Sequence, residues 1–322
     1  MICRALLWGL LLLALPGYAQ RVPAMYFSDT TRLGRPLAKD PSVVRFRGRY
    51  LLYYSIPETA RTGWGIGIAS STDLTQWQKI GELTPAAAYE QKGLCAPGAL
   101  VRGDSLHLFY QTYGNGPHDA ICHAVSADGL HFRRDPTNPI FSPTGPWTVG
   151  RAIDAEVVFF RREYFLYFAT RDPSYQVQLQ GVASAAPAAG FGRAAWRQRR
   201  DEPMLRPTLP WEKKCVEGAS CLRRGHYLYL FYAGAYNNEP QQIGVARSRD
   251  GLHWQRLADQ PLLANGPPGS WNASESGHPA IFRDPVSKRT YLFYQGNNDQ
   301  GRTWHLSKVE LRWRRGRPYV AP

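Results

Sequence analysis

The stretch RAIDAEVVFFRREYFLYF, residues 151–168, holds an apolar run, a short charged turn and an aromatic-rich run, with Asp154 and Glu156 at the head of the first. β-Branched and aromatic residues in runs of this length read as buried strands. Ionised carboxylates are costly to bury unless paired. Their presence at the head of such a strand needs a reason, structural or catalytic.

The phrase is not unique. VVRFRGRYLLYYS (43–55), ALVRGDSLHLFYQ (99–111), VVFFRREYFLYFA (157–169), SCLRRGHYLYLFYAG (220–234) and AIFRDPVSKRTYLFYQG (280–296) repeat it. With Asp40, Ala96, Asp154, Glu217 and Gly277 as the starts, the intervals are 56, 58, 63 and 60 residues. A period this long, with about four short strands per unit, is that of propeller blades. Within a unit the first strand is the least polar and is expected to line the axis. The second alternates, as in Tyr50, Leu52 and Tyr54 against Leu51 and Tyr53, and Gly-rich third strands such as GWGIGIAS and QQIGVARS follow. No helix follows the Gly-x-Gly of the former, so it is not a dinucleotide loop. SRDGLHWQR (248–256), SADGLHFRR (126–134) and the looser STDLTQWQK (71–79) share a Ser-x-Asp turn with an aromatic four residues after the Asp. The reading is a hairpin whose aromatic packs on the next strand. With no helical period of useful length, the chain is expected to be all-β, a single five-bladed β-propeller spanning residues 20–322.

Residues 1–19, MICRALLWGLLLLALPGYA, have one Arg, an apolar core too short for a bilayer, a Pro-Gly break and a small residue at Ala19. This is the layout of a signal peptide and implies a secreted or periplasmic protein with no membrane span. Removing Arg4 lowers the formal net charge from +14 to +13. The excess is Arg scattered along the chain, not a basic run between aromatic stacking positions, so no nucleic-acid partner is expected, while acidic polysaccharide would be attracted. Cys95, Cys122, Cys215 and Cys221 allow three disulfide connectivities or four free thiols. The protein is expected to be a monomer.

Radial blades bring the starts of their first strands to one mouth. The repeat then gathers Asp40, Asp154 and Glu217 there, with Ala96 and Pro97, and Gly277 and His278, at the matching points of the other two blades. Crowded acids do not ionise together, and their pKa values spread. Glycosidic cleavage needs that spread, one carboxyl donating a proton while another activates water. The structural alternative is acids that pair with Arg151 or with backbone donors.

The five openings, KDPSVVRFRGRYLLYYS, CAPGALVRGDSLHLFYQ, RAIDAEVVFFRREYFLYFA, EGASCLRRGHYLYLFYAG and GHPAIFRD, resemble the blade openings of glycoside hydrolase family 43 and related five-bladed propeller glycosidases. The resemblance implies Asp40 as general base, Glu217 as general acid, and Asp154 as the residue that orients the acid and keeps it protonated. It implies substrate contacts from Arg151 and His278, and no required cofactor. His278 resembles an axial histidine that holds calcium or its water shell in some members. Cys95, Ala155 and Ala219 depart from the family pattern and are expected to change the pocket walls. Glu275 is a further candidate acid. The expected activity is inverting hydrolysis of arabinose, xylose or galactose units on plant or algal polysaccharide. The alternatives are a non-catalytic carbohydrate-binding propeller and relatives resembling anhydrogalactosidases or phosphorylases.

Overall fold

The computed structural model describes residues 25–321, so the expected signal segment lies outside them. Twenty strands form five four-stranded antiparallel sheets. Blade one holds β1 (Lys39–Phe46), β2 (Arg49–Ile56), β3 (Gly65–Ser71) and β4 (Gln78–Leu83). Blade two holds β5 (Leu94–Arg102), β6 (Ser105–Thr112), β7 (Ile121–Ser126) and β8 (Arg133–Arg134). Blade three holds β9 (Ile153–Phe160), β10 (Glu163–Arg171), β11 (Gln178–Ala185) and β12 (Arg197–Gln198). Blade four holds β13 (Val216–Arg224), β14 (Tyr227–Gly234), β15 (Gln242–Ser248) and β16 (Gln255–Arg256). Blade five holds β17 (Glu275–Arg283), β18 (Thr290–Asn297), β19 (His305–Arg314) and β20 (Arg317–Val320). The first strands pack in a closed cycle, β1 on β5, then β9, β13, β17 and back to β1. This is the five-bladed propeller read from the repeat, with the first strands at the axis; the least polar strands are the second ones, not the first as expected, because the axial strands carry the polar residues of the mouth.

Each second strand is apolar on both faces because each face meets a different blade. Tyr50, Leu52 and Tyr54 pack with Phe293 of blade five, while Leu51 and Tyr53 pack with Leu106 and Leu108 of blade two. Five such inter-blade layers replace one central core. The repeated turns staple these layers. In one, Ser248 Oγ accepts from the backbone N–H of Gly251 at 2.8 Å and Asp250 Oδ1 from that of Leu252 at 2.8 Å. The turn aromatics pack on their own blades and also tie each blade to its neighbour. They reach the preceding blade: Trp254 sits on Tyr167 at 5.6 Å, Phe132 on Tyr53 at 5.8 Å and Trp77 on Phe293 at 6.3 Å.

A second set of ties is ionic. Glu90 and Glu212, both fully buried on single 3-10 turns, accept from Tyr110 and Tyr232 at 2.6 and 2.7 Å and pair with Arg134 and Arg256. Asp29 does the same with Tyr54 and Lys79. The ring closes through the N-terminal segment. In blades two to four the chain returns beside the third strand at Phe141, Leu205 and Leu263. In blade five Phe27 fills that edge, exchanging backbone hydrogen bonds of 2.9 and 2.7 Å with Leu306.

All five first strands carry a bulge at the mouth, where the register shifts. The bulge residue has a left-handed φ: Asp40 +51°, Ala96 +48°, Asp154 +55°, Gly218 +60° and His278 +42°. Four of the five are not glycine, and such strain of ~1–3 kcal/mol each persists where function holds it. This corrects the frame of the repeat in two blades. The equivalents of Asp40 and Asp154 are Gly218 and His278, and Glu217 stands one residue ahead of its blade's bulge. The repeat could not show this because a glycine takes the φ-positive position in blade four.

Candidate active site

The bulges turn Asp40, Asp154 and His278 toward the axis, and Glu217 reaches the same place from the residue before its own bulge. His278 lies between two acids, Nδ1 3.3 Å from Asp40 Oδ1 and Nε2 3.4 Å from Glu217 Oε1. Ligand atoms of Asp154, Glu217 and His278 all lie within 4.8 Å of one another. Glutamines fix the frame. Gln295 Oε1 accepts from the backbone N–H of Asp40 at 2.9 Å, and Gln111 Oε1 from that of Asp154 at 2.8 Å. Glu217 accepts at Oε1 from Gln241 Nε2 at 2.7 Å and at Oε2 from Gln178 Nε2. Asp154 Oδ2 is buried with no donor among the described residues.

These environments drive the acids apart. Burial pushes Asp154 up to about 7, helped by the charges of Glu217 and Asp40 against the pull of His278 and Arg151. Burial also works against ionising Glu217, but the hydrogen bond and charge of His278, then Gln241 and Lys39, overcome it and hold Glu217 down at about 2. Burial alone would lower His278; the charges of Asp40, Asp154 and Glu217 raise it to about 10. The sequence reading had Asp154 keeping Glu217 protonated. In this arrangement burial raises Asp154, while the contact with His278 lowers Glu217.

The acids open into a cavity of about 370 Å³ whose walls include Trp64, Tyr113, Tyr236 and Asn237 together with Lys39, Arg151 and Arg171. Arg151 faces it with Nε 3.4 Å from Asp119 Oδ2. Cys95 is in this wall, whereas Ala155 and Ala219 line a small axial chamber of about 40 Å³ below the acids, so two of the three departures do not touch the pocket. Glu156, the second carboxylate of the opening stretch, is in that chamber. It accepts from the backbone N–H of Cys221 at 2.7 Å, and burial raises it to about 8. Glu275 does not line the cavity. It is fully buried behind Gln295, accepting from that amide at 3.2 Å and from the backbone N–H of Asn238 at 2.7 Å. The four cysteines are free thiols.

Sequence reasoning missed the glutamines. Gln111 and Gln295 close the repeated phrases LHLFYQ and TYLFYQG, and an amide ending a buried aromatic strand was the available signal. Gln178 and Gln241 stand at or just before the starts of third strands and gave none.

Five blades with acids of opposed proton affinity at one mouth define a propeller built on the plan of the glycosidases. The chain belongs to glycosyl hydrolases family 43, whose family model matches residues 34–316. Among solved structures, the fold resembles a thermostable family-43 glycoside hydrolase, at TM-score 0.72 and 17% identity over 88% of this chain and 93% of that one. It also resembles an endo-1,4-beta-xylanase from Bacteroides thetaiotaomicron VPI-5482, at TM-score 0.70 and 21% identity over 88% and 94%. An alpha-L-arabinofuranosidase from Lactobacillus brevis matches at TM-score 0.69 and 16% identity over 91% and 97%. Among curated proteins, a beta-1,2-mannobiose phosphorylase of Thermoanaerobacter sp. (strain X514) is 26% identical over 128 residues, 35% of this chain and 40% of that protein. The chain thus matches well under half the length of this relative.

Proposed function

We propose that the protein is an exported, monomeric, inverting glycosidase acting on arabinose, xylose or galactose units of plant or algal polysaccharide. The observation that carries this is the placement of Asp40 and Glu217 on opposite edges of one imidazole, inside one cavity. A ring and two contacts between the carboxylates suit the ~6.5–9.5 Å separation that lets water attack directly, and not the ~5 Å of a retaining pair. Asp40 activates the water, Glu217 protonates the leaving oxygen, and Arg151 contacts the sugar. Glu217 must gain a proton before it acts, and for that its contact with His278, 3.4 Å away, has to weaken, because that contact holds it ionised. The names of the xylanase and arabinofuranosidase neighbours support pentose units, and the size of the cavity suits the end of a chain.

The family resemblance raises calcium at His278. The donor set does not fit direct ligation by the imidazole: both ring nitrogens face carboxylates, and calcium prefers six to eight oxygens.

The test is the mature protein against a panel of aryl glycosides and oligosaccharides, with the anomer of the first product followed by NMR. Inverted product supports the reading. Sugar binding without turnover would replace it with the carbohydrate-binding alternative. The partial likeness to a phosphorylase favours one second reading, in which turnover requires inorganic phosphate and releases a sugar phosphate.

A further inference from the structure

Besides His278, three cations line the cavity, and two of them are committed. Arg151 faces Asp119, and Lys39 is held charged against burial by Asp40, Glu275 and Glu217. Arg171, the last residue of β10, forms no ion pair among the described residues. Its guanidinium is nevertheless fixed in place. Nε donates to Gln178 Oε1 at 2.6 Å, Nη1 donates to the carbonyl of Tyr175 at 3.2 Å, and the group stacks on the rings of Tyr236 at 4.5 Å and Tyr175 at 5.1 Å. Nη2 bonds to no described residue. An arginine that is oriented, stacked and left without a counter-ion in a cavity wall is a preformed receptor for a planar anion.

Its position says which part of the substrate carries that anion. The same Gln178 that accepts from Arg171 donates to Glu217 Oε2, so one amide joins the guanidinium to the proposed proton donor. A group that protonates the leaving oxygen stands on the leaving-group side. We propose that Arg171 selects substrates whose leaving-group sugar bears a carboxylate, that is, a neutral unit linked to a hexuronate. The strongly basic chain would raise the local concentration of such an acidic polymer.

This inference rests on the glycosidase reading for the word leaving, but binding tests it separately. Free hexuronates, each paired with the neutral hexose that has a hydroxymethyl in place of the carboxylate, are titrated calorimetrically into wild type and into Arg171→Gln and Arg171→Lys. The wild type should bind the hexuronate on the order of tenfold more tightly, as expected for a charge-assisted hydrogen bond. Arg171→Gln should erase the preference while neutral-sugar affinity and melting temperature hold, and Arg171→Lys should restore part of it. With uronate-terminated oligosaccharides, Arg171→Gln should raise KM more than it lowers kcat. Equal binding of hexuronate and hexose by the wild type, or a preference that survives Arg171→Gln, would overturn the proposal. So would tighter binding of hexose sulfates, or phosphate-dependent release of a sugar phosphate that is lost in Arg171→Gln. Carboxylate preference without hydrolysis of any glycoside would sink the glycosidase reading and leave the anion site standing; hydrolysis without the preference would do the reverse.

Discussion

Nε2 of His278 lies 3.4 Å from Oε1 of Glu217, and the two shift each other in opposite directions. Glu217 is held at about 2 against an ordinary 4.5, and His278 at about 10 against 6.5. A depressed carboxyl contributes stability above its unfolded pKa and loses it as pH falls through the folded one. A raised histidine contributes below its unfolded pKa and loses it as pH rises through the folded one. Both contributions are complete only between about pH 4.5 and 6.5. The melting-temperature gap between wild type and His278→Gln should therefore be widest in that window and narrow on either side. Thermal melts from pH 3 to 10 measure it, and a gap of constant size would contradict the contact.

Asp40→Asn and Glu217→Gln should each lower kcat by ~10² to 10⁴, the usual contribution of a positioned acid or base. Affinity for the sugar product should change far less. Kinetics on the best substrate from the glycoside panel, with product binding measured in parallel, separate the two effects. Retention of most of the activity by either variant would remove that residue from its proposed role.

Treatment with a chelator, followed by gel filtration, should leave kcat/KM unchanged, because the histidine that would ligate a cation is engaged by carboxylates on both nitrogens. A loss restored by calcium alone would show that the donor set rearranges around an ion.

Glu212→Ala should destabilise the fold by ~3–5 kcal/mol, since it strands Arg256 and two backbone N–H groups that Glu212 satisfies while fully buried. Denaturant melts are the measure. Glu310→Ala, which removes the partner of exposed arginines 289 and 312, is the contrast and should cost under ~1 kcal/mol.

The propeller was legible because its second strands are buried on both faces. Tyr53 and Tyr54 point into different inter-blade layers, so the chain spells an unbroken aromatic run and repeats it at each blade. The acids were legible for the same reason, since the repeat carries Asp40 and Asp154 to equivalent bulges. Glu217 was found one step out of frame because pattern matching sees residue types and not φ, and Gly218 hides the position that Asp154 fills in the preceding blade. What the sequence could not carry is the long-range pairing. Gln178 is 39 residues from Glu217, and Gln295 is 255 from Asp40. Packing of blade three on blade four brings the first pair together, and closure of the ring the second. The opposed shifts of Asp154 and Glu217 follow from burial and from His278, which the sequence does not place, so they too were out of reach.

Asp154→Asn sets the demands of stability and function against each other. Asp154 Oδ2 is buried without a donor among the described residues, and burial lifts the carboxyl from 3.8 to about 7. A raised carboxyl contributes most below its unfolded pKa, and the contribution drains away as pH rises through the folded value. An asparagine does not titrate, so the wild type should lose stability relative to Asp154→Asn between about pH 3.8 and 7. Above that range the variant should melt higher by ~2 °C or more, the shift that about 1 kcal/mol gives a chain of this size. Activity should move the other way. The variant removes the raised carboxyl beside Glu217, so kcat should fall and any inflection near pH 7 in the pH–rate profile should disappear. A variant that is less stable at pH 8 than the wild type would mean that the carboxylate is paired there and that Asp154 is a structural ion. A variant that keeps full activity and the inflection would move the titrating proton to another residue, with Glu156, raised to about 8 in the chamber below, the next to be changed.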